Sequence, residues 1–73
     1  MPSKYPTCTP EEVLKALLRI GFVKIGQKGS HVKLSNNKRI VIIPMHCKDL
    51  KLGTFKGILE QAGLSVEELM RFL

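Results

Sequence analysis

The residues best able to do chemistry in this chain lie in one short stretch, Lys28-Gly29-Ser30-His31-Val32-Lys33. An imidazole is the side chain that most readily takes or gives a proton near neutral pH, and here it stands between two ammonium groups. If a polyribonucleotide lies against it, the reaction is simple to write. Neutral imidazole removes the proton of a 2′-hydroxyl, that oxygen attacks the adjacent phosphorus, and the lysines stabilise the charge that develops. The route needs no metal and no cofactor. Acid–base chemistry normally wants two groups, and the only other imidazole is His46, in Pro44-Met45-His46. It reads either as the second proton-transfer group or as a loop residue fixed by the preceding proline. Cys8, Cys47, His31 and His46 have no metal-ligand spacing, so neither a metal site nor a disulfide is expected, and the thiols read as reduced.

The charge pattern agrees with a polyanionic partner. Twelve Lys and Arg against six Asp and Glu give a net charge of +6, and between Val13 and Leu59 the only acid is Asp49. The middle of the chain is therefore a cationic block suited to nucleic acid. The longest apolar run, Ile40 to Ile43, is far short of the ~20 residues of a bilayer helix. Met1 to Pro6 carries no apolar signal region, so a cytoplasmic protein with no membrane partner is expected. Seventy-three residues leave room for one small domain, 1–73.

The elements that must position these groups follow from caps and periodicity. Thr9-Pro10-Glu11-Glu12 joins an N-cap, a proline at the first helical position and a capping-box glutamate, opening a helix at Pro10 that Gly21 stops. Its stripe is Val13, Leu14, Leu17 and Leu18, with Ala16 and Ile20 beside it. Strands are expected over Phe22 to Lys28, His31 to Ser35 and Arg39 to Pro44, joined by the tight-turn residues Lys28-Gly29-Ser30 and Asn36-Asn37-Lys38. Alternation puts Val32 and Leu34 on one face and His31, Lys33 and Ser35 on the other, with Val23 and Ile25 predicted on the covered apolar face. Ile40 to Ile43 is apolar on both faces. Its second face needs a cover: a central position or lysine stems on one reading, a partner chain or a second copy in a weak homodimer on the other.

A second helix follows Gly53-Thr54, with Phe55, Ile58, Leu59 and Ala62 on its stripe and Gly63 at its end. Lys51, Thr54 and Lys56 surround its start, where free N–H groups favour a phosphate. Ser65-Val66-Glu67-Glu68 opens a last short helix with Val66, Leu69, Met70 and Leu73 predicted to be buried. The order is α-β-β-β-α plus a terminal helical turn, an α+β arrangement with a three-stranded antiparallel sheet and helices on one face. It is the order of the double-stranded-RNA-binding domain.

The motifs Gly29-Ser30-His31, Pro44-Met45-His46, Leu50-Lys51-Leu52-Gly53-Thr54 and Ile58-Leu59-Glu60-Gln61-Ala62-Gly63 stand at intervals that resemble the HicA (YcfA-like) toxin family along essentially the whole chain. The resemblance implies a double-stranded-RNA-binding-like fold acting as an mRNA interferase, a histidine-dependent and metal-independent endoribonuclease of a type II toxin-antitoxin system. It implies a HicB-type antitoxin as partner, and it places the family's catalytic histidine on His31. On this reading Lys28 and Lys33 contact phosphate and Ser30 shapes the turn. The reading it must displace is a non-catalytic RNA-binding module that uses the same basic sheet face.

Overall fold

The computed structural model describes Tyr5 and residues 7–73; residues 1–4 and 6, within the segment read for a signal region, lie outside the described residues. Helix α1 (Pro10–Ile20) opens on a reciprocal cap. The Thr9 hydroxyl accepts from the Glu12 N–H at 3.2 Å, and the Glu12 carboxylate accepts from the Thr9 N–H at 2.9 Å. Gly21, at φ 126°, ends the helix, and the chain turns so that the Phe22 N–H reaches the Leu17 carbonyl at 3.0 Å.

That turn drives Phe22 into the core and so decides the facing of β1 (Val23–Lys28). Successive strand residues point to opposite faces, and a buried Phe22 therefore turns Val23 outward. The expected covering of Val23 and Ile25 is corrected here: they are 59% and 52% exposed. A β-bulge between Lys24 and Gly26 leaves Ile25 out of the ladder, with Lys24 opposite Leu34 and Gly26 opposite Lys33.

Strands β2 (His31–Ser35) and β3 (Ile40–Pro44) complete an antiparallel sheet in the order β1-β2-β3. Gly29, at φ 58°, takes the first position of the two-residue first turn, the pattern of a type II′ hairpin. In the second turn Asn37 adopts φ 76°, while the Asn36 side-chain oxygen accepts from the N–H groups of Lys38 and Arg39. Val32, Leu34, Val41 and Ile43 fill the covered face. Ile40 and Ile42 do not: β3 is an edge strand rather than a central one, and these two are 51% and 43% exposed on the outer face. The free edge is blunted, because the Ile42 N–H donates to Gln61 Oε1 at 3.0 Å and Pro44 has no N–H to offer.

Helix α2 (Leu52–Ala62) buries Phe55, Ile58, Leu59 and Ala62 as predicted and ends at Gly63 in the left-handed region, φ 70°. Helix α3 (Val66–Met70) opens on the Ser65–Glu68 capping box and buries Val66 and Leu69. Met70, Leu73 and Leu18 are exposed, against expectation. Helix α3 is five residues long, and Val66 and Leu69 are the positions it buries. The result is the predicted α+β order, α-β-β-β-α-α, with an open three-stranded sheet.

Candidate active site

β2 positions His31. Since Val32 and Leu34 are held in the core, the alternation leaves His31 and Lys33 on the solvent face. The ladders then set their neighbours. Lys28, His31 and Pro44 lie opposite one another in one row, and Gly26, Lys33 and Ile42 in the next. Residues opposite one another share a face, so two lysines and an exposed isoleucine stand round the imidazole.

His46 reaches the same place through the backbone. The Met45 N–H donates to the Ser30 carbonyl at 2.6 Å, extending the β2–β3 pairing past the strand, and the next residue folds back over the hairpin. The rings of His31 and His46 have centroids 5.8 Å apart and are tilted by 54°. Ser30 Oγ lies 3.2 Å from His46 Nδ1, and Cys47 Sγ lies 3.6 Å from Nε2, with the donor in each pair set by the ring tautomer. Ser30 thus shapes the hairpin, as expected, and also holds the second imidazole. The thiol is a weak partner that a phosphate or hydroxyl oxygen can displace.

His31, Lys28, Ser30, Lys33, Gly26 and Ile42 border an open groove of about 640 Å³ on this face. The other residues predicted to bind RNA lie elsewhere. Lys51 is the N-cap of α2, which has no side-chain cap, and Thr54 stands in its first turn. Lys56 Nζ sits 4.9 Å from the centre of the Tyr5 ring, which packs edge-on against Phe55. Cys8 is buried in the core, apart from the half-buried Cys47. Among the described residues no three His, Cys, Asp or Glu side chains come together as metal ligands, and no helix is long and apolar enough to cross a membrane.

Sequence alone puts Gly26 on the face of Lys28, Ile42 in a strand apolar on both faces and Gln61 in the family motif, but it gives none of them a place at the site or the sheet edge. A signal for Gly26 was present: a two-residue turn fixes Lys28 opposite His31, and counting back two residues puts Gly26 opposite Lys33.

An antiparallel sheet backed by helices, with two imidazoles and two lysines converging on its open face, defines a small α+β domain of double-stranded-RNA-binding order with a candidate acid–base site. The family model for the HicA toxin of bacterial toxin-antitoxin systems matches residues 10–64, which takes in every strand, α1, α2 and both histidines. The chain belongs to the HicA toxin family. Membership makes it the toxin half of a toxin–antitoxin pair, with an antitoxin as its partner. No curated protein matches the chain.

Proposed function

We propose that this toxin is a metal-independent endoribonuclease acting on mRNA in the cytoplasm, with His31 and His46 as its two proton-transfer groups. The observation that carries the reading is the pair of rings, 5.8 Å apart on a lysine-bearing face. Each imidazole needs only a hydrogen bond of about 2.6–3.2 Å to its oxygen, so both are within reach of one phosphodiester. Neutral His31 takes the 2′-hydroxyl proton, and O2′ forms its bond to phosphorus. The bond from phosphorus to the 5′-oxygen breaks, and His46, entering protonated, supplies that oxygen's proton. The products are a 2′,3′-cyclic phosphate and a free 5′-hydroxyl. Lys28 and Lys33 stabilise the extra negative charge on the phosphoryl oxygens. Lys51, Thr54 and Lys56, round the start of α2, offer an outlying phosphate contact further along the strand.

A HicB-type antitoxin neutralises the toxin in this reading by covering the His31 face together with Ile40 and Ile42, whose exposure on an edge strand supports a partner there. A complex in which the antitoxin touches neither would overturn that part. The nuclease reading is tested by incubating purified protein and its His31→Ala variant with single-stranded RNA in EDTA. Metal-free cleavage that ends in cyclic phosphate and disappears in the variant is expected. Intact RNA that is nonetheless bound, with binding weakened by salt, would make the domain a binding module instead.

A further inference from the structure

We infer that the groove beside His31 is a subsite for one unpaired nucleobase of the RNA strand, formed by the missing side chain at Gly26 and the exposed wall of Ile42; the inference rests on the RNA reading above. Gly26 is the starting point because, although it adjoins the β-bulge of β1, its backbone conformation does not need glycine. Its φ is not among the positive values found at Gly21, Gly29 and Gly63, and a Cβ built on it meets no atom within 4 Å. No turn, close approach or left-handed backbone requires glycine, although glycine inside a strand weakens it. What its absent side chain does is open a notch in the row Gly26–Lys33–Ile42.

The walls of that notch identify what fits. The groove's accessible lining is mostly carbon, and its volume of about 640 Å³ falls within the range of small-molecule clefts. Ile42, 43% exposed, supplies an apolar wall of this groove, beside Lys28, Lys33 and His31. An apolar floor with ammonium groups at its rim suits a flat aromatic ring tethered to phosphates. Gln27 adds a polar edge: its Oε1 accepts from Lys24 Nζ at 2.8 Å and its Nε2 donates to the Gly29 carbonyl at 3.0 Å, which leaves one N–H for a base. The ring must be unpaired, because a base inside a duplex has both faces stacked and offers only its edges. Since the His31 row is adjacent, a base seated here sets which phosphodiester lies between the two imidazoles.

The test compares two probes on the cleavage-blocked His31→Ala protein: a short single-stranded oligoribonucleotide and an abasic one with the same number of phosphates. Fluorescence anisotropy should show the base-bearing strand bound about tenfold more tightly. Adding Gly26→Val, which fills the notch, should reduce that strand to the abasic level while abasic binding stays unchanged. Ile42→Asn, at an exposed position, should act in the same direction, and it keeps the test decisive if the valine variant melts early. Equal binding of the two probes, or an equal loss of both on filling the notch, would overturn the inference. So would unchanged RNA binding accompanied by weaker antitoxin binding, which would make the groove a protein-docking site. Cleavage by the unmutated protein is read in parallel. Cleavage with base-independent binding sinks the subsite alone, and base-dependent binding without cleavage sinks the nuclease alone.

Discussion

Replacing Ser30 by alanine separates two accounts of His46. Its hydroxyl lies 3.2 Å from His46 Nδ1; with the ring entering protonated the bond is charge-assisted, but water screens this exposed contact, so its net value is about 0.5–1.5 kcal/mol. If that bond serves to orient His46, its loss slows the chemical step by about two- to twelvefold. On the proposed mechanism, removing His46 itself deletes a proton-transfer group, which typically costs about 10²–10⁴-fold. The hairpin survives Ser30→Ala, because Gly29 supplies the positive φ and the bond from the Met45 N–H goes to the Ser30 backbone. Single-turnover cleavage of a short single-stranded RNA measures both variants.

The decisive arm is the double variant. If Ser30 acts only through His46, Ser30→Ala should be silent once His46 is alanine, so the coupling energy should equal the whole effect of the serine. A serine effect of the same size in both backgrounds would refute the relay, as would a Ser30→Ala loss as large as that of His46→Ala. The pH profile gives an independent reading. With one imidazole acting neutral and the other protonated, the rate has two limbs, and His46→Ala should erase one of them.

Leu34→Ala should bring the protein to the edge of unfolding at room temperature: truncating a fully buried leucine costs about 2–5 kcal/mol, against the ~3–5 kcal/mol that a core of this size supplies, and circular-dichroism melting checks it. Burial, and secondarily the carboxylate of Glu12, pushes the Cys8 thiol above its ordinary value, so iodoacetamide should modify Cys47 alone in the native protein and both cysteines in denaturant, as read by mass spectrometry. The Ser65 N–H and hydroxyl hold Glu68 below the ordinary carboxylate value. A lowered folded value means that its contribution is present above the unfolded carboxylate pKa of about 4.3 and is lost as pH falls through the folded one, so Glu68→Gln should flatten that acid limb in urea midpoints taken against pH. Ile40→Asp should weaken antitoxin binding in calorimetry while leaving RNA cleavage by the free toxin intact.

What could be read from the chain was local chemistry. Two capping boxes, the positive-φ positions Gly29 and Asn37, and the i, i+3, i+4, i+7 stripe of α2 each state their structure within a few residues, and all appear as expected. What could not be read depended on competition between neighbours. Val23 and Ile25 fit a covered face on period alone, yet Phe22 is larger, sits nearer the end of α1 and takes the core position first. The alternation is then reset by a bulge between Lys24 and Gly26, for which a glycine inside the strand is the one local sign. Ile40 to Ile43 looks like a central strand because both of its faces are apolar, but strand order is a property of the assembled sheet.

The site divides in the same way. His31 was legible because the glycine of its hairpin and the alternation of its strand are both local. His46 was ambiguous because its role depends on a ladder register between strands, which places Pro44 opposite His31 and brings together two rings fifteen residues apart in sequence. Gly26 is legible only in part: alternation puts it on the face of Lys28, but nothing local marks its position as an opening. A glycine in a strand reads first as a bulge or turn residue, and only the register, the ordinary φ and the empty space where its Cβ would stand show that its side chain is missing without structural need. On the proposed reading, a glycine that adjoins the bulge and leaves a carbon-lined notch next to His31 serves what enters that notch.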